Sequence, residues 1–274
     1  MIRRPPRSTH CISSAASDVY KRQRLEGKRA VITGGGRGIG KAIALSYVRE
    51  GAQCVITSRN LDDLEATSKE GPDGAIKPFV CDVSSDESVT SMAKFVNDEL
   101  GGVDIVVNNA GIHAAGRFLD IDPATYSHLY EVNVVGIVRV SQAFLGGMIE
   151  RGRGSIVNIA STAGLFESPG QAPYNASKHG AVGLTRCMGL ELASSGVTCN
   201  AICPGFVDTP MLDGFAELVG AESDELRNQL AKRTPMGRIL SPDEIANLAV
   251  YLGSDEASGM TGQTMAISNG MRMS

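Results

Sequence analysis

The sequence predicts an α/β fold in which a parallel sheet is covered by helices on both faces. Seven short runs rich in apolar and β-branched residues alternate with segments of helical periodicity along the 274-residue chain. Such continuous apolar runs are typical of strands buried on both faces, and the helices between them provide parallel connections. Glycine is abundant, at 32 residues, as expected for many tight turns between strands and helices.

The expected elements follow one another without a break after the first two dozen residues. The seven expected strands lie in KRAVIT, QCVITS, DGAIKPFVCDV, VDIVVNNAG, GSIVNIAS, GVTCNAICPG and GQTMAIS. Ser84 and Ser241 occupy positions typical of helix N-caps, each just before acidic residues. The chain shows no linker and no internal repeat, so residues 24–274 are expected to form one domain. A polar stretch at 204–238 is expected to be a lid-like insertion.

The first 23 residues differ in character from the rest of the chain. They show no helical or strand periodicity, and Asp18 is the one acid among several basic residues. They also lack the apolar core of a signal peptide. The segment resembles translated sequencing adapter, so we expect residues 1–23 to be a disordered, non-native leader.

Composition narrows the function classes. A formal charge of −4 argues against nucleic-acid binding as the main function. No uninterrupted apolar run approaches the roughly 20 residues that span a bilayer. Cys54, Cys81, Cys199 and Cys203 lie in strand-like runs without C-x-x-C pairs, so we expect small buried hydrophobes rather than disulfides or metal ligands. These features predict a cytoplasmic protein without a metal, nucleic-acid or membrane partner.

A glycine-rich turn, TGGGRGIG at residues 33–40, follows the first strand and opens a helix. Gly34 suits a tight turn, Gly38 allows close approach of a phosphate, and Gly40 allows the helix to pack against the strand. The N–H groups at the start of that helix would bind a pyrophosphate. The spacing is T-G-x-x-x-G-x-G rather than G-x-G-x-x-G, but its position predicts a dinucleotide site.

The end of the second strand indicates which dinucleotide binds. An NAD site would place an acid here to accept hydrogen bonds from the ribose 2′-hydroxyl. The sequence instead reads TSRN, and Arg59 with the nearby Arg37 suits a 2′-phosphate. The alternative is that Arg59 is an ordinary surface residue. We therefore favour NADP(H) as the cofactor and keep NAD(H) as possible.

Tyr174 and Lys178 are four residues apart and share one face of an expected helix. A free phenol has a pKa of about 10 and is a poor base at neutral pH. A desolvated ammonium nearby would favour the phenolate, whereas a solvated surface pair would have little effect. The pair is therefore an acid/base candidate only if it is buried beside the cofactor.

Five motifs together identify a resemblance. TGGGRGIG, NNAG at residues 108–111, NIASTAG, YNASK and PGFVDTP occur in the order and spacing of the short-chain dehydrogenase/reductase family. The resemblance to the family's common subclass runs from Leu25 to the C-terminus. It implies an NAD(P)(H)-dependent oxidoreductase on a Rossmann-like, doubly wound sheet of seven parallel strands in the order 3-2-1-4-5-6-7.

The resemblance also implies a catalytic tetrad of Ser161, Tyr174, Lys178 and Asn133. Tyr174 would exchange a proton with the substrate oxygen, and Ser161 would hydrogen-bond that oxygen. Lys178 would hold the ribose hydroxyls of the nicotinamide half of the cofactor. Asn133 would hold a water that links Lys178 to solvent; the alternative is a helix asparagine bonded to a neighbouring strand.

Two further sets of residues follow from the motifs. The expected cofactor contacts are Thr33, Gly34, Arg37, Gly38, Ile39, Gly40, Ser58, Arg59, Asn60, Asp82, Val83, Asn108, Ala110, Gly111, Tyr174, Lys178, Pro204, Gly205, Val207 and Thr209. The expected substrate pocket contains His113, Thr162, Ala163, Gln171, Phe206, Met211, Leu212 and Phe215. It is mostly apolar and has no cluster of arginines, and His113 is either a hydrogen-bond donor to substrate or a plain loop residue.

The expected reaction interconverts a ketone and a secondary alcohol by hydride transfer. The motif regions are similar to those of 3-hydroxybutyrate dehydrogenases and of polyketide and 3-oxoacyl ketoreductases, which favours a β-oxo or cyclic substrate. An NAD-dependent 3-hydroxyacid dehydrogenase is one alternative, and a catalytically inactive dinucleotide-binding regulator is another. The long helices around residues 126–149 and 174–194 are apolar on more than one face, and the resemblance implies a homotetramer built through them.

Overall fold

A computed structural model describes residues 23–271, and these contain one sheet of seven parallel strands in the order β3-β2-β1-β4-β5-β6-β7. The expected fold class and strand order are therefore confirmed. The expected leader falls almost wholly on residues 1–22, which lie outside the described residues. The strands are β1 (Arg29–Thr33), β2 (Gln53–Ser58), β3 (Ile76–Val80), β4 (Ile105–Asn108), β5 (Gly154–Ile159), β6 (Val197–Pro204) and β7 (Thr264–Ile267).

Helices connect the strands and cover the sheet. They are α1 (Gly38–Arg49), α2 (Leu61–Glu70), α3 (Asp86–Leu100), α4 (Pro123–Tyr130), α5 (Gly136–Glu150), α6 (Ala172–Leu192), α7 (Pro210–Val219), α8 (Ser223–Lys232) and α9 (Pro242–Gly253). Helix α9 packs on α1, and α5 packs on α3, so the two pairs form separate layers.

The sheet is apolar on both faces because neighbouring residues of a strand point to opposite sides. Val31 of β1 pairs with Val55 and Val106, and its side chain belongs to the cluster that includes Met92 of α3. The next residue, Ile32, joins instead the cluster that contains Tyr47 of α1. A strand buried in this way must be apolar at successive positions, which is the pattern that the sequence carries.

The structure has a serine N-cap at both expected helix starts, one of them shifted by one residue. Helix α3 is capped by Ser85, whose hydroxyl accepts a hydrogen bond from the Ser88 N–H, and not by the expected Ser84. Ser84 donates instead to the carboxylate of Asp82, which turns the chain before the helix. Ser241 is the N-cap of α9 as expected, and its N–H donates to the Glu244 carboxylate.

The connection between β4 and β5 contains a feature that the sequence did not predict. Residues Glu131–Val135 form a π-helical turn between α4 and α5, closed by the hydrogen bond from the Gly136 N–H to the Glu131 carbonyl. Such turns insert one extra residue into a helix and redirect the side chains beside it. Asn133 lies in this turn and is 1% exposed.

The same helical segment meets the length and composition of a membrane span. Residues Pro123–Glu150 have a mean hydropathy of 1.5 over the most apolar window, of which 44% is buried. The sequence analysis did not anticipate this segment because charged residues interrupt its apolar run. A single segment of this kind is weak evidence for a membrane span, since core helices of globular proteins have the same composition.

The cysteines of the strands are buried and free. Cys54, Cys81, Cys199 and Cys203 make no disulfide within residues 23–271, and each lies in an apolar cluster. They are the small buried hydrophobes that the sequence predicted. Cys187 is exposed on α6.

The stretch 204–238 contains helices α7 and α8, which share a small apolar cluster of their own. Leu212 and Ala216 of α7 pack against Leu226 and Leu230 of α8. Arg227 of α8 joins the two helices by donating to the carboxylates of Asp208 and Asp213. These helices cover the carboxyl end of β6, and their action as a lid stays a prediction.

Candidate active site

Two adjoining cavities lie at the carboxyl end of the sheet. The first, which we call the glycine-turn cavity, has a volume of about 360 Å³ and is lined by residues that follow β1, β2, β3 and β4. The second, the tyrosine cavity, has a volume of about 550 Å³ and is lined mainly by residues that follow β5 and β6. Their walls share Ile39, Asn109, Gly111, Thr209 and Met211. The cavities form one elongated cleft, which is the shape that a dinucleotide and a small substrate together require.

The glycine turn is built by close backbone contacts. Gly34 and Gly38 have φ values of 64° and 56°, in the left-handed region that favours glycine. A side chain at Gly40 would place its Cβ 2.2 Å from the Gly34 carbonyl oxygen, so only glycine fits there. Helix α1 begins at Gly38 without a side-chain cap or an acid in its first turn. Its first N–H groups therefore face the cavity and suit a pyrophosphate.

Asn109 holds the glycine turn in place, and the sequence analysis did not select it. Its side-chain amide donates to the carbonyl oxygens of Thr33 (2.9 Å) and Gly34 (3.0 Å), and its backbone N–H donates to the Thr33 hydroxyl. Asn108, which was selected, points away from the cleft and donates to Ser141 and Asn158 in the core. The signal that was available is the NNAG motif, in which the second asparagine is the first residue beyond β4.

Three of the expected cofactor contacts do not line either cavity, namely Thr33, Gly40 and Asn108. Thr33 is 1% exposed and its hydroxyl accepts from the N–H groups of Asn109 and Ala110. Gly40 packs against the turn, as its expected packing role requires. The expected contacts that do line the cleft are Gly34, Arg37, Gly38, Ile39, Ser58, Arg59, Asn60, Asp82, Val83, Ala110, Gly111, Tyr174, Lys178, Pro204, Gly205, Val207 and Thr209.

Positive charge collects at one end of the glycine-turn cavity. Arg37 and Arg59 both line it, and in the described part of the chain neither guanidinium forms an ion pair. The hydroxyl of Thr57 is buried there without a hydrogen-bond partner among the same residues. Asp82 lines the same cavity, and hydrogen bonds from the Ser84 hydroxyl and N–H hold the pKa of its carboxyl below the usual range. This end of the cleft therefore offers free donors to an anionic group.

Tyr174 and Lys178 lie on α6 and line the tyrosine cavity. Tyr174 is 9% exposed and lines the tyrosine cavity with Ser161, which follows β5 and whose hydroxyl acts to lower the pKa of the tyrosine. Lys178 is 5% exposed; its ammonium donates to the Ile159 carbonyl at 3.0 Å and lies 5.8 Å from the centre of the Tyr174 ring. The fold therefore brings the serine, the tyrosine and the lysine to one point, and the pair is not a solvated surface pair.

The pKa values of Tyr174 and Lys178 are set mainly by burial in this structure. Burial lowers the pKa of Lys178 to about 8. Burial raises the pKa of the Tyr174 phenol, and the hydrogen bond with Ser161 offsets only part of that rise. The expectation that Lys178, together with the positive nicotinamide of an oxidised cofactor, lowers the pKa of Tyr174 stays a prediction; in the protein by itself, burial dominates. The reason is that burial disfavours the charged form of both groups, and the amine gives up its proton before the phenol does.

Asn133 makes more contacts than its expected role requires. Its amide donates to the Ile112 carbonyl and the Ser177 hydroxyl and accepts from the Ile112 N–H, each at 2.9 Å. Both amide hydrogens are used, but the partners lie in the segment after β4 and in α6, and not in a neighbouring strand as the alternative supposed. Ser177 in turn donates to the Tyr174 carbonyl. Asn133 thus joins three elements around the lysine, and its water-holding role stays a prediction.

His113 lies inside the tyrosine cavity and not on an open loop. Its ring meets the rings of Tyr174 and Phe215 edge-on, with centroids 4.6 Å and 5.2 Å apart. Burial lowers its pKa and outweighs the hydrogen bond with Gln171, so the imidazole is neutral at pH 7. All eight expected pocket residues line this cavity: His113, Thr162, Ala163, Gln171, Phe206, Met211, Leu212 and Phe215. The sequence analysis missed Leu230, Arg233 and Met271, which line it from α8, the residue after α8, and the C-terminal segment.

Cys203 packs beneath the catalytic candidates. Burial raises the pKa of its thiol to about 11, and the nearby Ser161 backbone offsets only part of that rise. The thiol therefore stays protonated at neutral pH and contributes packing rather than a nucleophile.

The known proteins to which this chain is similar are named as reductases, which agrees with a cleft that suits a dinucleotide. Residues 34–272 match the family model described as enoyl-(acyl carrier protein) reductase. The chain is 39% identical to the 3-oxoacyl-[acyl-carrier-protein] reductase FabG of Vibrio cholerae over 249 residues, 91% of this chain and 99% of that protein. It is 37% identical to a putative ketoacyl reductase of Streptomyces coelicolor over 250 residues, 88% of this chain and 96% of that protein.

A solved structure also matches. The crystal structure of a single-residue variant of actinorhodin polyketide ketoreductase with NADPH superposes with a TM-score of 0.84 at 36% identity and covers 89% of this chain and 97% of its own. These relatives span almost the whole chain, and the superposition agrees with its strand order. The protein therefore belongs to the short-chain dehydrogenase/reductase family and is a carbonyl reductase that uses NAD(P).

Proposed function

We propose that the protein interconverts a β-oxo ketone and the corresponding secondary alcohol, with NADP(H) as the preferred cofactor. The observation that carries this proposal is the burial of Tyr174 and Lys178 beside Ser161, all three in the wall of the tyrosine cavity, which adjoins the glycine-turn cavity. A substrate oxygen that reached both hydroxyls would lie next to a cofactor held along the glycine turn. We assign the catalytic roles to Ser161, Tyr174, Lys178 and Asn133.

Each side chain has a task that its surroundings support. A nicotinamide cofactor in this cleft supplies the hydride. Because burial raises the pKa of Tyr174, the phenol keeps its proton at neutral pH and serves as the acid that protonates the carbonyl oxygen. Ser161 donates a hydrogen bond to the same oxygen. Lys178 contributes a buried ammonium, and Asn133 fixes the segment after β4 against the helix that carries both.

The preference for NADP(H) rests on the charges at one end of the glycine-turn cavity. Arg37 and Arg59 offer two guanidinium groups without an ion-pair partner among residues 23–271. A 2′-phosphate would satisfy both, and the ketoreductase that superposes on this chain carries NADPH.

An NAD-dependent 3-hydroxyacid dehydrogenase is the second candidate. Asp63 of α2 lines the same end of the cavity, although the sequence analysis found no acid at the end of β2. A carboxylate in that place could accept a hydrogen bond from a ribose 2′-hydroxyl. The ratio of activities with the two cofactors decides between the candidates.

Other properties follow from the relatives and from the surface. The relatives named for 3-oxoacyl or ketoacyl reduction favour a β-oxo acyl compound as substrate and a cytoplasmic enzyme. Residues 24–274 act as a single domain in this proposal, and helices α7 and α8 close over the substrate. The resemblance set out above favours a homotetramer over a membrane span for the apolar helices α4, α5 and α6.

Replacement of Tyr174 by phenylalanine removes the proposed acid. We expect kcat for ketone reduction to fall by about 10³-fold, within the range that general acid catalysis contributes, while the Kd for NADPH stays within about twofold. The measurements are initial rates from nicotinamide absorbance and fluorescence titration of the cofactor. Tyr251→Phe, outside both cavities, is the control and should leave both values unchanged. Turnover that survives in Tyr174→Phe would remove the acid/base assignment.

The pKa of Lys178 predicts a pH profile. The buried ammonium has a pKa of about 8, so it is present below that pH and lost above it. We expect kcat/KM for NADPH, which reports the free enzyme, to be level at neutral pH and to fall about tenfold per unit well above pH 8. A profile that stayed level to about pH 10, where an ordinary lysine begins to titrate, would contradict this role for the lysine.

Arg59 is the test of cofactor preference. Arg59→Ala should raise the KM for NADPH by about tenfold or more, because a charge-assisted hydrogen bond is lost, and should change the KM for NADH little. Arg153→Ala, which removes an exposed arginine outside both cavities, is the matched control. If the wild-type enzyme strongly prefers NADH, the argument from Arg59 fails and the second candidate is favoured.

The oligomer has its own test. Tyr130, Ile149 and Leu190 are 48%, 44% and 81% exposed on α4, α5 and α6, the helices through which the resemblance implies assembly. Light scattering should give four times the chain mass for the wild type. We expect Leu190→Glu to lower that mass, and a monomeric wild type would contradict the proposal.

A further inference from the structure

Two charged side chains in the wall of the tyrosine cavity, Glu167 and Arg233, have no role in the reaction described above. The cavity is lined by the titratable side chains of His113, Glu167, Tyr174, Lys178 and Arg233. His113 is neutral at pH 7, and Lys178 donates to a backbone carbonyl beside the catalytic tyrosine. Arg233, which caps the C-terminal end of α8, is exposed and carries a permanent positive charge at the wall of the cavity.

The surroundings of Arg233 differ from those of the other arginines in the 204–238 stretch. Arg227 is bound by the carboxylates of Asp208 and Asp213, and Arg238 is bound by that of Glu244. In the described part of the chain, no carboxylate lies within ion-pair distance of Arg233. Its guanidinium instead lies over the Phe206 ring, 5.9 Å from the ring centroid.

An aromatic ring beneath a guanidinium fixes its plane and leaves the N–H groups at its edge. These donors are arranged to bind two oxygens of a carboxylate or phosphate at once. Because Phe206 and Arg233 both line the tyrosine cavity, an anion bound there would belong to a molecule that also reaches Tyr174.

We propose that Arg233 binds an anionic group of the oxo substrate, so that the substrate class is β-oxo compounds carrying a carboxylate or a phosphate. The inference rests on the proposed function and extends it by naming the side chain that selects the substrate. From the sequence, no cluster of arginines was expected in this pocket. In this proposal a single arginine, at the end of α8, binds the anionic group. The anion is either the carboxylate of a free β-oxo acid or the phosphate of a phosphopantetheine thioester.

The experiment compares charged and neutral substrates of the same reacting group. The pairs are acetoacetate against methyl acetoacetate, and acetoacetyl coenzyme A against the acetoacetyl thioester of N-acetylcysteamine. The variants are Arg233→Met, which keeps an unbranched stem and removes the guanidinium, and Lys232→Met, a matched loss of charge at an exposed neighbour outside the cavity. Arg233→Lys tests whether the planar donor group is required.

We expect Arg233→Met to raise the KM for the charged member of at least one pair by about tenfold or more, with less than about twofold change for its neutral partner. Arg233→Lys should recover part of the loss, and Lys232→Met should change neither value. The pair that responds identifies the source of the anion. Equal changes for charged and neutral members would overturn the inference and leave the proposed reaction standing.

A binding measurement separates failure of this inference from failure of the proposed function. Calorimetry of acetoacetate and of acetoacetyl coenzyme A with the wild-type enzyme and NADP⁺ reports binding without turnover, since the oxidised cofactor cannot reduce a ketone. We expect binding of one of them that Arg233→Met weakens about tenfold. If the wild type reduces none of the four compounds but binds in this way, the reaction is wrong and the anion site stands. If neither acetoacetate nor acetoacetyl coenzyme A binds to the wild type, or if Arg233→Met binds them as tightly as the wild type does, the anion site is refuted.

Discussion

The parallel direction of all seven strands is the constraint on which the site depends. Because every strand runs the same way, every carboxyl end lies at one edge of the sheet, and each strand is followed by residues that line the cleft. The glycine turn after β1, Ser161 after β5 and Met271 after β7 are far apart in the chain and adjacent here. A fold of this kind collects short loops around one crevice without any long connection.

Burial then determines the chemistry of the groups that meet in that crevice. Tyr174 and Lys178 are nearly inaccessible, and the dry surroundings disfavour charge on either one. The raised pKa of the Tyr174 phenol and the pKa of about 8 of the Lys178 amine both favour the uncharged form, compared with the same groups in water. The hydrogen bonds of Asn133 and Asn109 hold the neighbouring backbone in place, so the two groups need no rearrangement to face the cleft.

Two sets of arginines among residues 23–271 differ in their partners. Arg227 is bound to carboxylates of Asp208 and of Asp213 in α7, and Arg238 is bound to that of Glu244 in α9. Arg37, Arg59 and Arg233 line the cleft and have no ion-pair partner among the described residues. An arginine whose charge is already neutralised holds structure together, whereas one that faces a cavity without a partner is available to an anionic ligand. Each of the two cavities therefore contains at least one arginine available to an anionic ligand, although the chain as a whole has a formal charge of −4.

The sequence by itself determined the fold class, the strand order through the family resemblance, and most of the residues that line the cleft. It did so because apolar β-branched runs and glycine spacing are local properties that the tertiary structure does not alter. Only the tertiary structure decided which of two adjacent asparagines faces the glycine turn. Asn108 ends β4 and points into the core, while Asn109 lies one residue further on and turns to the opposite side. The π-helical turn at Asn133, the raised pKa of Tyr174 and the position of Arg233 likewise depend on contacts between segments distant in sequence, which spacing along the chain does not encode.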